Sequence, residues 1–487
     1  MKRFFKLEEN GTNVTTEVLA GLTTFFAMSY ILFVAPNILG STGMPTQAIF
    51  LATIISSVVS TLIMALFANV PYVQAPGLGL ATFFAYTVVL QLGFSWQQAL
   101  ALVFLCGIIN VVVTVTKIRR LIIKSIPEVL QHAIGGGIGI FVAYIGIKNA
   151  GFLKFITDKS GILSINGTAY NAATTHFKGG ISAIVSNSSV TPALINFNQA
   201  APLVALVGLI LMIFMVVRNY RAAILIGIVL TTLIGIPFGV THLEMASGNS
   251  LGASFVELKT TVGAAFGPKG MGSLFNEPGR ILLGVMTIFA FSLTDIFDTI
   301  GTFIGTGKRT GIFSKEDEKE FFNGHGFKSK MDRSLFSDAI GSVISAIFGT
   351  SNVTTFVESA SGISVGGRTG GLTSLTAAAM FAVSSLLAPV IAIIPDAATA
   401  PALIVVGIMM MGAFRNIDWS NLEDAVPAFF ASVFMAMCYS ISYGIAAGFI
   451  FYMAVKLAKN KFKEVHPMMI VCTLLFVINF VVLALIE

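Results

Sequence analysis

GTSNVTTFVESASGISVGGRTGGLT, residues 349–373, decides how this chain folds. It lies between two long apolar segments and so at membrane depth, yet its composition argues against an ordinary membrane helix. From Ser351 to Phe356 small polar and β-branched residues alternate, which favours an extended strand. Glu358 then opens a short run broken by Gly362, Gly366, Gly367 and Gly370, so the pattern predicts a strand feeding a half-helix. Inside a bilayer, non-helical backbone is tolerated only where protein buries it or a water-filled cavity adjoins it, because lipid offers nothing to free N–H and C=O groups. A cavity is therefore predicted. Glu358, placed in hydrocarbon, costs roughly 3 kcal/mol unless it has a partner or a task.

The rest of the chain fits a membrane setting. Its 487 residues are 55% hydrophobic and 11% charged, with a mean hydropathy of +0.87, the composition of a polytopic membrane protein. The opening MKRFFKLEENGTNVTTE lacks an apolar run followed by a small-residue cleavage site, and no removable signal peptide is expected. Cys106, Cys438 and Cys472 lie far apart in apolar runs, as small core residues do, and neither a disulfide nor a metal or cofactor site is expected. Apolar segments, several short or broken by Gly and Pro, give about 14 spans. With the N-terminus on the cytoplasmic side, all but seven of the 29 Lys and Arg fall in inward loops and span ends. The net charge of +6 is thus accounted for by topology rather than by an anionic partner, and no nucleic acid partner is expected. Two outward loops, 150–200 and 241–280, read as short β-hairpin or coil caps.

An internal repeat emerges from the motifs. AGLTTFFAMSY (20–30) has a counterpart in FAFSLTDIFDTIGT (289–302), and VPYVQAPGLGLATFFAYTVV (70–89) in FGTSNVTTFVESASGISVGG (348–367). Each half would hold an odd number of spans, so the halves must run in opposite orientations. Inverted repeats with a broken helix at matching positions point to a secondary transporter with its site near the midplane.

Three acids are singled out within apolar spans: Asp295, Asp298 and Glu358. The i,i+3 spacing of Asp295 and Asp298 puts them near one helix face, where both could meet one cavity and act as proton carriers. Two half-helices, starting near Gly79 and Glu358, would aim free N–H groups at the same place. Backbone donors beside carboxylate acceptors suit a small planar molecule bearing both N–H and C=O groups better than a bare anion. Phe83, Phe84, Phe297 and Phe356 border these motifs and could stack on a ring.

The combination of QAPGLGLATFFAYTVV, FSLTDIFDTIGT and GTSNVTTFVESASGISVGGRTGGLTS resembles the AzgA-like purine permeases of the nucleobase–ascorbate transporter superfamily, over essentially the whole chain. The resemblance implies an all-α membrane protein of 14 spans in a seven-plus-seven inverted repeat, with two short antiparallel strands and half-helices in spans 3 and 10. It further implies a core domain (15–116 and 281–393), a gate domain (128–240 and 398–486), and a homodimer joined through the gates. The implied activity is import of purine nucleobases with protons across the cytoplasmic membrane. Carried over, the base-binding acid of span 8 falls on Asp298 and that of span 10 on Glu358. Backbone at Val357 and Ser359 adds hydrogen bonds, span 3 contributes Gly79, Leu80 and Ala81, and Thr302 links substrate to proton. Relatives usually carry asparagine where this chain has Ala81, a departure that bears on base preference.

Other classes fit less well. A uracil- or xanthine-type permease or an anion exchanger could share the fold, but an anion site should not be lined with acids. An intramembrane hydrolase would need a base or metal ligands deep in a span, where no His lies. A channel would line its pore with rings of like groups rather than with single acids on broken helices.

Overall fold

The first apolar segment does not run unbroken. The Asn13 side chain accepts a hydrogen bond from the Thr16 N–H to start α1 (Val14–Met28), the chain turns at Ser29 and Tyr30, and α2 (Ile31–Gly40) follows. The computed structural model describes residues 7–116, 125–156, 162–165, 168–169, 184–186, 191–243, 250–276, 278–303, 311–323 and 327–486. After α3 (Thr46–Ile63) comes a strand, β1 (Gln74–Pro76), which feeds the half-helix α4 (Leu78–Thr82), prolonged to Gln91 in π-helical form. A Ser95–Gln98 capping box begins α5 (Trp96–Val115), and α6 (Glu128–Asn149) precedes the loop 150–199.

In that loop β2 (Leu153–Ile156) pairs with β6 (Thr191–Leu194), while β3 (Ile162–Ile165) pairs with β4 (Thr168–Ala169) and β5 (Ile184–Ser186). Next come α7 (Ala200–Val217) and α8 (Ala223–Gly235). The stretch 241–280, expected to be a second cap of hairpin or coil, is largely helical instead, with α9 (Leu251–Thr261) and α10 (Met271–Leu274). The Ser250 hydroxyl caps α9, and Ser254 donates to Gln47 of α3 at 2.7 Å, so local capping and a side-chain dock override the loop-like composition.

The second half holds α11 (Pro278–Thr302), α12 (Lys315–Asn323), α13 (Lys330–Phe348), β7 (Val353–Thr355), the half-helix α14 (Ser359–Val365) and α15 (Leu375–Val383). It ends with α16 (Asp396–Met410), α17 (Leu422–Met437), α18 (Ile441–Ala458) and α19 (Pro467–Ile486). Gly349 at φ +99° ends α13 and Gly366 at φ +115° ends α14, left-handed positions that glycine adopts without a steric penalty. Among the described residues nine helical stretches are long and apolar enough to cross a membrane. The strand and half-helix predicted at 349–373 are both present, and the same arrangement recurs at 74–82.

Packing falls into two groups. Around the strands, α13 lies on α5 and α3, and α1 lies on α14 and α15; elsewhere α6 lies on α16 and α17, and α17 on α18. The glycine run in α6 reads in the sequence as close helix packing, and the structure agrees. A Cβ on Gly139 would stand 2.7 Å from the Gly407 carbonyl of α16, and one on Gly407 2.5 Å from the Gly139 carbonyl. With no hydrophobic drive between helices in lipid, such close backbone approach is what holds them together. Gly139→Val should therefore lower stability by about 1–3 kcal/mol through overpacking. Gly135→Ala, whose new carbon would meet only Ala413 at 3.8 Å, should be neutral or slightly stabilising. Thermal melting of the two purified variants in detergent checks both.

Candidate functional site

β1 and β7 pair antiparallel with Gln74 opposite Thr355, Ala75 opposite Thr354 and Pro76 opposite Val353. The ladder continues at each end, where Gly77 N–H donates to Asn352 O at 3.0 Å and Phe356 N–H to Val73 O at 3.1 Å. So short a ladder leaves outer backbone groups unpaired, and hydroxyls from neighbouring helices take them. Thr61 of α3 both donates to Gln74 O (3.1 Å) and accepts from Gln74 N–H (3.0 Å), Ser342 of α13 donates to Val353 O (3.1 Å), and Ser359 accepts from Val73 N–H (3.1 Å).

Where the two strands hand over to α4 and α14, a cavity opens. Gly77, Leu78 and Gly79 line it on one side and Thr354 to Glu358 on the other. Asp298 and Thr302 enter from α11, Tyr30 from the turn between α1 and α2, and Val406 and Met410 from α16. Asp298 and Glu358 are half-buried and share this space. Tyr30 donates its phenol hydrogen to Glu358 Oε1 at 2.6 Å. A second, larger cavity lies toward the α7–α8 turn, lined by Tyr220, Arg221, Ser361, Ser364 and Glu358 among others. Glu358 is thus a wall common to both.

Of the residues expected at the site, Asp298, Glu358, Val357, Gly79, Thr302 and Phe356 line the first cavity. Leu80, Ala81, Phe83, Ser359 and Asp295 do not. Leu80 and Ala81 are buried in the hydrophobic core, and Phe83 stands edge-on to Phe291 at 4.6 Å. Ser359 is spent on the Val73 N–H. Phe84 is buried in the core, and the side chain of Phe297 lies outside the described part of the structure.

The expectation that Asp295 shares a cavity with Asp298 is corrected. Its Oδ2 accepts from Asn110 Nδ2 of α5 at 2.7 Å and from Ser342 at 3.3 Å, and Ser292 hydrogen-bonds Asn110 in turn. Three residues along a helix leave a rotation of about 60°, enough at a helix-packed face to send two side chains to different neighbours.

Two buried acids escaped the sequence reading. Asp338 lies in the apolar segment 334–350, near its polar start. Its Oδ1 accepts from Thr299 (2.8 Å), Gln74 Nε2 (3.2 Å) and Thr355 (3.2 Å), fastening α11, β1 and β7 to α13. Its position inside an apolar run was the available signal. Glu17 is fully buried and accepts from Arg368 N–H (2.8 Å), Thr369 Oγ1 (2.9 Å) and Thr373 Oγ1 (2.6 Å), securing the break after α14. Only the fold reveals that task, because its partners are some 350 residues away.

The Permease family model matches residues 15–182 and 171–447. The chain belongs to this family. The permease is 36% identical to a putative permease from Methanocaldococcus jannaschii over 99% of each chain. It is 35% identical to the adenine permease AdeP of Escherichia coli, over 99% of this chain and 96% of that one. To the guanine/hypoxanthine permease PbuO of Bacillus subtilis it is 34% identical, over 98% of this chain and 100% of that one. In fold the permease resembles the transmembrane domain of the cyanobacterial bicarbonate transporter BicA, with TM-score 0.59 at 16% identity, covering 89% of this chain and 96% of that one. It is a multi-pass membrane transporter and not an enzyme.

Removing the Asp338 carboxylate strands three donors. Asp338→Ala should cost about 2–5 kcal/mol of stability, and Asp338→Asn clearly less because its carbonyl still accepts. Melting of the purified variants separates the two.

Proposed function

We propose that this permease is a proton-coupled symporter that imports purine nucleobases, namely hypoxanthine, guanine or adenine, across the cytoplasmic membrane. The observation that carries the reading is the single cavity bearing both Asp298 and Glu358 beside the starts of two half-helices. Carboxylate acceptors next to backbone N–H groups match a flat base that offers N–H and C=O on its edges. Phe356, buried at the cavity wall, supplies a ring face. The adenine and guanine/hypoxanthine permeases among its relatives support the same substrate class. Likeness to a bicarbonate transporter extends to fold alone, and two acids in the cavity oppose an anion as cargo.

The proposed mechanism uses these groups in sequence. Base and proton enter together, the proton neutralising one of the two acids so that the loaded cavity carries one negative charge less than the empty one. Glu358 borders the larger space toward Arg221, and loss of its proton there releases the base. Coupling follows because the two states bind the loaded and unloaded forms unequally. The full reading comprises 14 spans in two inverted halves. In it a core (15–116 and 281–393) slides against a gate (128–240 and 398–486), two copies join through their gates, and the Arg221 side is cytoplasmic. Contacts of the proposed core with the gate, and with Asp396 at the start of the helix that leads into it, support the assignment. Asn37 hydrogen-bonds Asp396, Asn149 Nδ2 donates to the Tyr86 hydroxyl at 3.0 Å, and Thr87 Oγ1 donates to Tyr439 O at 3.3 Å.

Uptake of labelled adenine, guanine, hypoxanthine and uracil into cells lacking their own permeases tests the proposal. Saturable purine uptake abolished by a protonophore is expected; uracil uptake alone would move the permease to a sister branch. Glu358→Gln and Asp298→Asn should each weaken purine binding by about tenfold or more, the loss of a charged hydrogen bond. A disulfide between Asn37→Cys and Asp396→Cys should halt uptake until a reductant is added, whereas full uptake with the bridge formed would refute the sliding motion.

A further inference from the structure

We infer that Tyr30 is a positioning residue for Glu358, its phenol fixing one carboxyl oxygen so that the carboxyl keeps its place at the wall of the binding cavity. The inference deepens the proposed function and rests on it for the identity of the cargo, but not for the geometry.

Tyr30 stands where the first span breaks. α1 ends at Ser29, and the turn is closed by Leu32 N–H donating to Ser29 O and Phe33 N–H to Tyr30 O, at 3.1 and 3.0 Å. Because α1 packs along α14, this break is brought beside the residue that starts α14. That residue is Glu358. It occupies the N-cap, where a side-chain oxygen ordinarily accepts from the next helical N–H groups, yet it makes no such capping bond. Its Oε1 instead takes the Tyr30 hydroxyl at 2.6 Å. The ring of Tyr30 is almost fully buried, so the phenol has little freedom to follow the carboxyl elsewhere.

Glu358 has two places to go. It lines the first cavity with Asp298 and Thr302, and it also lines the larger one with Ser361, Ser364 and Arg221. A glutamate side chain with three rotatable bonds and water-accessible space on both sides does not keep one position by itself. The phenol decides the matter by fixing one carboxyl oxygen at the wall of the binding cavity. It occupies Oε1 and leaves Oε2 to meet the cargo. Thr302, which closes FAFSLTDIFDTIGT as Tyr30 closes AGLTTFFAMSY, lines the same cavity from the other half of the repeat.

Tyr30→Phe removes one oxygen and leaves the ring in its packing. In purified protein the labelling of Glu358 by dicyclohexylcarbodiimide, followed by peptide mass spectrometry with the Asp298 peptide as internal reference, should rise at least about threefold, because the carboxyl is released from its bond. Tyr30→His, which restores a ring N–H donor, should bring labelling back toward the wild-type rate and also serves if the Phe variant does not fold. In uptake assays Tyr30→Phe should raise KM for the transported base by about tenfold to a hundredfold while the rate at saturating base stays within about twofold. Equal labelling of Glu358 in wild type and Tyr30→Phe, or unchanged KM, would overturn the inference. Increased labelling in a protein whose wild type carries no purine would uphold the positioning and refute the substrate assignment instead.

Discussion

Everything at the centre of this permease depends on satisfying the backbone of two three-residue strands where lipid can satisfy nothing. The ladder between Gln74–Pro76 and Val353–Thr355 pairs only the facing groups. The outer ones are taken by Thr61, Ser342 and Ser359, each from a different helix. The strands cannot form without those helices in place, and the helices are spaced by what the strands require. In return, the chain gains two helix starts facing one hollow, which an unbroken span cannot offer.

The acids divide by their neighbours rather than by their depth. Glu17, Asp295 and Asp338 are fully buried and accept hydrogen bonds from amides and hydroxyls. Each ties together segments distant in sequence and has no access to the cavity. Asp298 and Glu358 are only half-buried and look into open space. On the proposed function, a group that exchanges hydrogen bonds with cargo cannot have all of them filled by the fold. Tyr30 occupies the boundary between these roles, since it fills one oxygen of Glu358 and leaves the other.

Close packing by glycine supports the rest. Gly139 and Gly407 let α6 and α16 touch backbone to backbone, and Gly362 sits where a Cβ would stand 2.5 Å from the Ala20 carbonyl of α1. The second contact brings α1, and with it Tyr30, within reach of Glu358. Helix spacing in one place thus sets a hydrogen bond in another.

The class of the protein, the two strand-to-half-helix elements, the glycine contacts and the pair Asp298 and Glu358 were all legible in the sequence. Each is written in a short stretch: alternation of small polar and β-branched residues, glycines at fixed positions, an acid in an apolar run. What the sequence could not decide was direction. Asp295 and Asp298 are alike in spacing and setting, and only the neighbouring α5 and α13 send the first to Asn110 and Ser342 while the second faces the cavity. Helical stretches around 241–280, the break at Tyr30 and the tasks of Asp338 and Glu17 were likewise settled by partners far along the chain. Local composition records what a segment can be, and a long-range hydrogen bond determines which of those it becomes.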